Sequence, residues 1–256
     1  MKVNPLTEVW ESGRAAVGTY IMYNREIATV QIAAAAGLDF IVFDMEHRPY
    51  DYEMIHDMAQ VARLAGIAPI VGPAEIAEYP ISHVLDMGAS GVIVPHVETP
   101  EEVMLAVDAA RYPPRGHRGR AGTAGHNLYI APESTVDEMR HHDSEISLFL
   151  KVEAEHAIHR IDELLAPDGV DGVMIGPLDL SINMGIPGQT SHPRLMKLVD
   201  RVREACLDRG LRFGDYVGSP DGVAAAVDAG ASWVIVGSEM DALSEAWRRA
   251  AGSVRE

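Results

Sequence analysis

Two stretches, LFLKVE (148–153) and GVDGVMIGPLD (169–179), decide the fold of this chain. Each is an apolar run that ends in a carboxylate, Glu153 in the first and Asp179 in the second. This pattern is typical of a buried strand that opens into a polar loop. In a barrel of parallel strands, the carboxyl ends of the strands carry the chemistry. Two carboxylates at that end favour Mg²⁺ or Mn²⁺, which prefer oxygen ligands.

Similar apolar runs recur along the chain and alternate with helix-like segments. The predicted strands are residues 16–22, 39–44, 68–71, 91–95, 147–153, 172–176, 211–215 and 232–237. The predicted helices are residues 25–37, 51–65, 78–88, 99–110, 155–166, 193–209, 220–229 and 239–251. Apolar strands that alternate with amphipathic helices predict a parallel sheet covered on both faces. Eight such units predict an α/β fold closed into a (β/α)8 TIM barrel, with an open doubly wound sheet as the alternative.

Local signals at the helix ends agree with this organisation. Thr99 followed by Pro100 is a helix start, and a glycine such as Gly66 follows several helices, where a left-handed residue ends the helix. The longest connection, residues 111–146, is expected at the same face as the site, because long loops there are often functional. With no linker or low-complexity tract, the 256 residues are predicted to form a single domain, 1–256.

The composition argues against several function classes. The chain is 47% hydrophobic and carries a net charge of -17, which argues against nucleic acid and anionic membranes as partners. A small anionic substrate remains compatible with a locally positive site. The single Cys206 cannot form an internal disulfide, which predicts a reducing, cytoplasmic location. The sequence shows no signal-peptide pattern and no apolar run long enough for a transmembrane span.

Polar residues follow other predicted strands as well. The run Asp44-Met45-Glu46-His47 follows the second strand, Lys151 lies two residues before Glu153, and Asp86 ends the third helix. Each alone has a plain structural explanation: Asp44 could cap a turn, and Asp86 could lie in solvent at a helix end. Taken together, these residues favour one site at the carboxyl ends of the strands.

These residues resemble a known family, the HpcH/HpaI class II aldolases, which includes 2-dehydro-3-deoxyglucarate aldolase and 4-hydroxy-2-oxoheptanedioate aldolase. The resemblance covers nearly the whole chain in order and implies a TIM barrel of the phosphoenolpyruvate/pyruvate type. The matching stretches are FDMEHRPYD (43–51), VLDMGASGVIVPHVETPEE (84–102), RYPPRGHRG (111–119), KVEAEHAIHRIDELLAPDGVDGVMIGPLDLSINMGIPG (151–188) and VIVGSEMDAL (234–243).

The resemblance also implies a cofactor and a substrate. It implies that Glu153 and Asp179 hold a divalent metal, Mg²⁺ or Mn²⁺ with Co²⁺ as a further option. A 2-oxo acid such as pyruvate or oxaloacetate would bind that metal, which stabilises the enolate as a Lewis acid. Gly176, Pro177 and Leu178 would bind the substrate, whose carboxylate would be held by backbone N–H groups around Gly176 to Asp179, at a helix start.

The implied base is His47. The resemblance implies that Asp86 orients this imidazole and raises its basicity. It also implies that Asp44 supports the residues of the site without binding the substrate itself. The aldehyde would be chosen by residues of the long connection, Arg118, Arg120, His126 and Tyr129, and by a neighbouring subunit. The resemblance further implies a homo-oligomer, commonly a hexamer.

Two departures from the family pattern concern the positive charge of the site. Gly72, in APIVGPAE, stands where the family has an Arg that clamps the substrate, and Lys151 stands where it has Gln. Residues two apart on a strand face the same side, so Lys151 and Glu153 should both point into the barrel mouth. We hypothesise that Lys151 supplies the lost cation, although an ammonium cannot reproduce a bidentate guanidinium. The alternatives are a purely structural ion pair and a Schiff base to the 2-oxo acid.

Two milder departures are Tyr20, in place of Trp, and Glu239, in place of Asp, whose longer carboxylate is still expected to cap the last helix. The leading interpretation is a metal-dependent carbon–carbon lyase acting on a 2-oxo acid and an aldehyde through a pyruvate enolate. Oxaloacetate decarboxylation and a Claisen-type condensation use the same enolate. The alternative outside the enzymes is a catalytically altered protein that only binds a 2-oxo acid. Gly72 supports it, because the arginine of the family pattern is missing there.

Overall fold

Eight parallel strands close into a barrel in chain order. The structure is a computed structural model and describes residues 3–253. Strand β8 pairs with β1 and completes the ring, so the predicted (β/α)8 TIM barrel is confirmed and the open-sheet alternative is wrong. The strands are β1 Ala16–Ile21, β2 Phe40–Asp44, β3 Ala68–Gly72, β4 Gly91–Val94, β5 Ser147–Val152, β6 Gly172–Ile175, β7 Arg212–Val217 and β8 Trp233–Ser238.

The α-helices surround this barrel, and none of those described is long and apolar enough to cross a membrane. Two short 3₁₀ turns, Gly125–Asn127 and Pro220–Gly222, accompany them. The helices are α1 Pro5–Glu11, α2 Ile27–Ala35, α3 Tyr52–Ala65, α4 Glu78–Asp86, α5 Pro100–Ala110, α6 Thr135–Glu145, α7 Glu155–His159, α8 Ile161–Leu164, α9 Pro177–Asn183, α10 Pro193–Asp208, α11 Val223–Asp228 and α12 Glu239–Gly252.

The apolar residues form two separate cores because side chains alternate across each strand. In β2, Phe40 and Val42 point into the barrel, where they join a cluster with Trp233. Ile41 and Phe43 point outward and pack beneath the helices. Both faces of β2 are therefore buried, which explains why its sequence reads as a continuous apolar run.

Helix α1 closes the amino-terminal end of the barrel. Asn4 caps it, since its side-chain oxygen accepts the N–H of Leu6 at 3.1 Å, and its amide donates to the carbonyl of Ser90 at 3.1 Å. Leu6 and Val9 are buried in the interior cluster. The sequence did not predict this helix, because seven residues with only two buried positions give a weak pattern.

The long connection differs most from expectation. Residues 111–146 follow α5 and precede β5, and they contain helix α6. A helix of a βα unit runs back towards the start of the next strand, so this connection lies at the amino-terminal end of the barrel. The prediction that placed it at the face of the site is wrong. The predicted helix 155–166 is also two helices, α7 and α8, separated at Arg160.

Candidate active site

Lys151, Glu153, Glu46 and His96 meet at the carboxyl ends of β2, β4 and β5. The ammonium nitrogen Nζ of Lys151 lies 3.2 Å from Oε1 of Glu153 and 3.3 Å from Oε2 of Glu46. Opposite this ammonium, Nδ1 of His96 lies 3.1 Å from Oε2 of Glu153, and Nε2 lies 2.5 Å from Oε1 of Glu46. Two carboxylates thus alternate with an ammonium and an imidazole in a closed ring of polar contacts.

The loop after β2 brings Glu46 and His47 into this ring through Asp44. The Oδ1 atom of Asp44 accepts the backbone N–H of Glu46 at 2.9 Å and that of His47 at 3.1 Å. The N–H of Met45 binds the carbonyl of Gly72 at 2.9 Å. The His47 imidazole then lies beside Glu46, with Nε2 3.4 Å from Oε1. Asp44 therefore shapes the turn that presents both side chains.

His96 occupies an uncommon backbone conformation at the end of β4. Its φ of 50° lies in the left-handed region, which costs a residue with a side chain of order 1 kcal/mol. The N–H of His96 donates to Oε2 of Glu153 at 3.3 Å, so the backbone and the ring of His96 contact the same carboxylate oxygen. The strained backbone thus places the imidazole between Glu46 and Glu153.

Glu153 packs against the start of α9, which carries Asp179. A Cβ atom at Gly176 would collide with the carboxyl group of Glu153, so the close approach needs glycine. Helix α9 begins at Pro177 and has Asp179 in its first turn. Burial raises the pKa of Glu153, and the nearby charge of Asp179 adds to that rise. The two predicted metal ligands therefore lie close enough to interact electrostatically.

The charges of the ring stabilise one another. Burial alone would lower the pKa of Lys151, but Glu153, Tyr20 and Glu46 raise it above its ordinary value. Burial alone would raise the pKa of Glu46, yet Lys151, His96 and His47 together lower it. Lys151 is therefore an ammonium at neutral pH, and the free amine needed for a Schiff base is scarce.

The wall beside this ring is open at Gly72. A Cβ atom there would meet only ordinary contacts, the nearest being the carbonyl oxygens of Ile93 at 3.7 Å and Phe43 at 3.8 Å. The glycine is thus not imposed by a close approach or by a positive φ. Tyr20 forms another part of the wall near Lys151, and burial raises its pKa to about 12.

Asp86 lies elsewhere. It ends α4, and helix α4 runs antiparallel to the strands, so Asp86 is at the amino-terminal end of the barrel. Its Oδ1 accepts a hydrogen bond from Nη2 of Arg118 at 2.6 Å. Within one chain the expected pairing of Asp86 with His47 is wrong, and the carboxylate beside His47 is Glu46.

The residues expected to choose the aldehyde share that far end. Arg120 donates to Oε2 of Glu138 at 2.7 Å, the hydroxyl of Tyr129 lies 2.8 Å from His56, and His126 is buried. These residues, like Arg118, cannot line the site of their own chain, and that expectation is wrong for a single chain.

Glu239 also differs from expectation. Its carboxylate accepts the backbone N–H groups of Met22 and Tyr23, each at 2.8 Å, and so fixes the loop after β1. The last helix is capped instead by Ser238, whose hydroxyl accepts the N–H of Asp241 at 3.2 Å.

Sequence reasoning named Glu46 among the strand-end residues but gave it no role, and it missed His96. The signal for Glu46 was its place in Asp44-Met45-Glu46-His47, directly after a buried strand. The signal for His96 was its place after GVIVP (91–95), which ends a buried strand in the same way. The contact of each residue with Glu153 or Lys151 is set by barrel closure and has no local sequence signal.

Comparison with known proteins identifies the family. Residues 19–246 match the family model for HpcH/HpaI aldolase/citrate lyase. The chain belongs to this family. It is 33% identical over 215 residues to the hydroxypyruvate/pyruvate aldolase of Roseobacter denitrificans, covering 84% of this chain and 83% of that protein. It is 30% identical over 244 residues to the 2-keto-3-deoxy-L-rhamnonate aldolase of Escherichia coli K12, covering 95% of this HpcH/HpaI chain and 90% of the relative.

Solved structures that superimpose on this chain also include an HpcH/HpaI aldolase. An HpcH/HpaI aldolase from Desulfitobacterium hafniense superimposes with a TM-score of 0.93 at 30% identity, covering 98% of this chain and 96% of the other. The citrate synthase SbnG superimposes with a TM-score of 0.87 at 26% identity, covering 98% and 97% of the two chains. The HpcH/HpaI fold thus accompanies both aldolase and condensing activity among these relatives.

Proposed function

We propose that this chain is a metal-dependent lyase that makes or breaks a carbon–carbon bond of a 2-oxo acid through a pyruvate enolate. The aldolase-type lyase class follows from its family and from relatives that are aldolases. The observation that carries the proposal is the ring of Lys151, Glu153, Glu46 and His96 beside Asp179. This ring lies where TIM-barrel enzymes carry their chemistry.

The proposed metal ligands, Glu153 and Asp179, fit a divalent ion. Oε1 of Glu153 is buried and accepts no well-aligned hydrogen bond from the residues described. The Lys151 ammonium lies 3.2 Å away as an ion pair. An oxygen atom in this state, with a second carboxylate nearby, suits Mg²⁺ or Mn²⁺. Such an ion would supply a Lewis acid to the carboxylate and keto oxygens of the 2-oxo acid.

The proposed role of Lys151 is to hold positive charge beside the enolate oxygen. Its ammonium is only 13% exposed and is oriented by Glu46 and Glu153. This charge replaces the guanidinium of the arginine that the family pattern has at the position of Gly72. It stabilises negative charge as that charge develops on the substrate. The segment Gly176, Pro177 and Leu178, at the start of α9, is proposed to bind the substrate. Its carboxylate would accept hydrogen bonds from backbone N–H groups between Gly176 and Asp179, although Pro177 itself has no N–H to donate.

His47 is the proposed base. In the retro-aldol direction it takes the proton of the hydroxyl on C4, the C3–C4 bond breaks, and its electron pair passes to the keto oxygen as the aldehyde leaves. The imidazole is 54% exposed and its Nε2 lies 3.4 Å from Oε1 of Glu46, so it stands beside the ring and can reach substrate. His96 is more firmly held between two carboxylates.

One set of assays separates the possible reactions. Metal-free and Mn²⁺-loaded protein is incubated with pyruvate and a series of aldehydes, and separately with oxaloacetate alone. Aldol products with metal support the leading proposal, and pyruvate release from oxaloacetate alone supports decarboxylation. Turnover that is independent of metal in every assay would contradict the proposal. Solvent exchange of the C3 protons of pyruvate, followed by NMR, excludes a protein that merely binds its ligand.

The Lys151→Gln variant tests the proposed cation. We expect a fall in kcat of about 10- to 1000-fold, because one preorganised charge at a developing oxyanion has about this effect. Unchanged turnover and substrate affinity would leave Lys151 as a structural ion pair. Borohydride treatment with pyruvate should give no mass adduct at Lys151, and an adduct would establish the Schiff base instead.

We also propose that the chain forms a homo-oligomer, with a hexamer as the state implied by resemblance. Helix α12 buries only Glu239 and exposes Met240, Leu243 and Trp247, the last with 68% of its surface accessible. Exposed apolar groups on one helix mark a surface that a partner covers. Light scattering during gel filtration measures the state, and Trp247→Glu should shift it towards smaller species. A monomeric wild type would contradict the proposal.

A cytoplasmic location, with no nucleic acid or membrane partner, remains an expectation from the composition. The free Cys206 is buried.

A further inference from the structure

A second group of chemically active side chains lies at the amino-terminal end of the barrel. His126 comes from the 3₁₀ turn Gly125–Asn127, and Glu138 and His142 lie four residues apart on α6. All three side chains are buried. One potential ligand atom from each lies within 4.8 Å of the others. None of these residues has a part in the proposed aldolase chemistry.

Three of the four imidazole nitrogens of this group lack a hydrogen-bond partner among the residues described. Nδ1 and Nε2 of His126 and Nε2 of His142 are buried, and no hydrogen bond to them is found in the part of the chain that the structure describes. The backbone of Asp86 lies near the His126 ring, but outside hydrogen-bonding geometry. A buried nitrogen without a partner costs about 1–3 kcal/mol. Three such atoms in one place indicate that something absent from the protein alone completes the site.

Glu138 is held as a metal-binding carboxylate usually is. Its Oε2 accepts a hydrogen bond from Nε of Arg120 at 2.7 Å, and its Oε1 accepts one from Nδ2 of Asn127 at 2.8 Å. Oε1 keeps a second lone pair and lies 3.6 Å from Nε2 of His126. Burial opposes ionisation of Glu138, but Asn127 and Arg120 hold its pKa below the ordinary value. Hydrogen bonds from outside the ligand set orient ligands in metal sites generally.

The two imidazoles are in the form that metals bind. Burial is the main cause that lowers the pKa of His142 to about 3, and it also lowers the pKa of His126. The rings are 4.5 Å apart, centre to centre, and steeply inclined. Burial therefore disfavours the protonated form of both rings, which is the form that cannot bind a metal.

We propose that His126, Glu138 and His142 bind a zinc-type transition-metal ion. Two imidazoles and one carboxylate are a ligand set that Zn²⁺ accepts in four-coordinate sites. The group opens on a cavity of about 340 Å³, which leaves a fourth position for water or a small anion. An anion is favoured there, because Arg63 also lines the cavity.

The ion would also fasten the 3₁₀ turn Gly125–Asn127 to α6, since its ligands come from these two segments of the long connection. This site is independent of the proposed metal pair Glu153 and Asp179, which lies at the opposite end of the barrel. The two sites differ in ligand chemistry as well, with nitrogen atoms at one and only carboxylates at the other. A spectroscopic probe can therefore distinguish them.

Cobalt is that probe. Full-length protein is stripped with a chelator, desalted and titrated with Co²⁺ in the Glu153→Gln/Asp179→Asn background, which removes the carboxylate pair. We expect one equivalent of Co²⁺ with the intense visible absorption of four-coordinate cobalt and with displacement by Zn²⁺. Absence of a bound equivalent in this background would overturn the proposal, whatever the outcome of the aldolase assays.

Three variants assign the ligands. His142→Ala should abolish the band, and Asn127→Ala, which leaves all three ligands in place, should weaken binding about 10- to 100-fold. His141→Ala is the matched control, because it removes the adjacent histidine, which is outside the group, and it should keep the band. If His142→Ala binds Co²⁺ like its parent, or if Asn127→Ala and His141→Ala have equal effects, the assignment is wrong. Circular dichroism checks that each variant is folded.

Discussion

Replacing Lys151 by methionine should destabilise the whole barrel, and the structure gives the magnitude. The side chains of Lys151, Glu46 and Glu153 are only 13%, 11% and 3% exposed. Methionine keeps most of the volume but removes the ammonium, so two buried carboxylates lose their shared counter-charge. Removing one partner of a buried ion pair costs about 3–5 kcal/mol. In a chain of this size, that loss lowers Tm by roughly 10 °C.

The measurement is urea unfolding followed by circular dichroism, at fixed protein concentration and in metal-free buffer. Lys197→Met is the matched control, because Lys197 is exposed on α10 and should change the unfolding free energy by no more than about 0.5 kcal/mol. A second variant, Lys151→Met with Glu46→Gln, should recover part of the loss, because one of the two unpaired carboxylates becomes neutral. Such coupled pairs typically deviate from additivity by about 0.5–3 kcal/mol.

Added Mn²⁺ should stabilise Lys151→Met more than it stabilises the wild type, because the ion then compensates carboxylates that no ammonium neutralises. Saturation at 100 times the dissociation constant contributes about 2.7 kcal/mol. If Lys151→Met unfolds within about 1 kcal/mol of the wild type in metal-free buffer, the carboxylates do not depend on the ammonium. The electrostatic account of the site would then be refuted.

Three further changes test other parts of the structure. Gly176→Ala should weaken Mn²⁺ binding at least about 10-fold by calorimetry, because its Cβ atom displaces the carboxyl group of Glu153; unchanged affinity would remove Glu153 from the metal site. Gly72→Arg should change the free energy of unfolding by less than about 1 kcal/mol, since its Cβ atom meets only ordinary contacts. Added to Lys151→Gln, it should raise kcat/KM with pyruvate. A further loss of kcat/KM would contradict the idea that one cation replaces the other. Arg111→Met should cost about 3–5 kcal/mol in urea unfolding, because the buried guanidinium donates to several backbone carbonyls; a loss below about 1 kcal/mol would show that water replaces those donors.

The barrel could be predicted because its strands carry their signal locally. Segments such as FIVFD (40–44) and GVMI (172–175) are buried on both faces, so each reads as an apolar run without long-range information. The short helices α1 and α9 carry little such signal, because seven residues hold too few buried positions to set a helical period. The connection 111–146 was placed at the wrong end, because its length suggested function while its position after α5 already fixed its location.

The site could be predicted only as a set of strand-end residues. Lys151 and Glu153 share a strand, so their common direction follows from the pleat. Glu46 and His96 reach them from other strands, and only closure of the barrel brings those strand ends together. The position of Asp86 was predicted wrongly for the opposite reason. Its match to the family is local in sequence, whereas the end of the barrel at which it lies depends on the direction of α4.

The charges of the site bear on the proposal that Lys151 supplies the cation missing at Gly72. In their ionised forms, Glu46, Glu153 and Asp179 with the Lys151 ammonium leave two negative charges, which one divalent ion neutralises. A glutamine at 151 and an arginine at 72 would give the same sum, with the cation on β3 rather than β5. If Lys151 supplies the cation missing at Gly72, as proposed, the charge balance is kept while the cation lies between two carboxylates and not on the wall. Because Glu46 and Glu153 already contact the ammonium, a substrate would reach it from the side that these two carboxylates leave open.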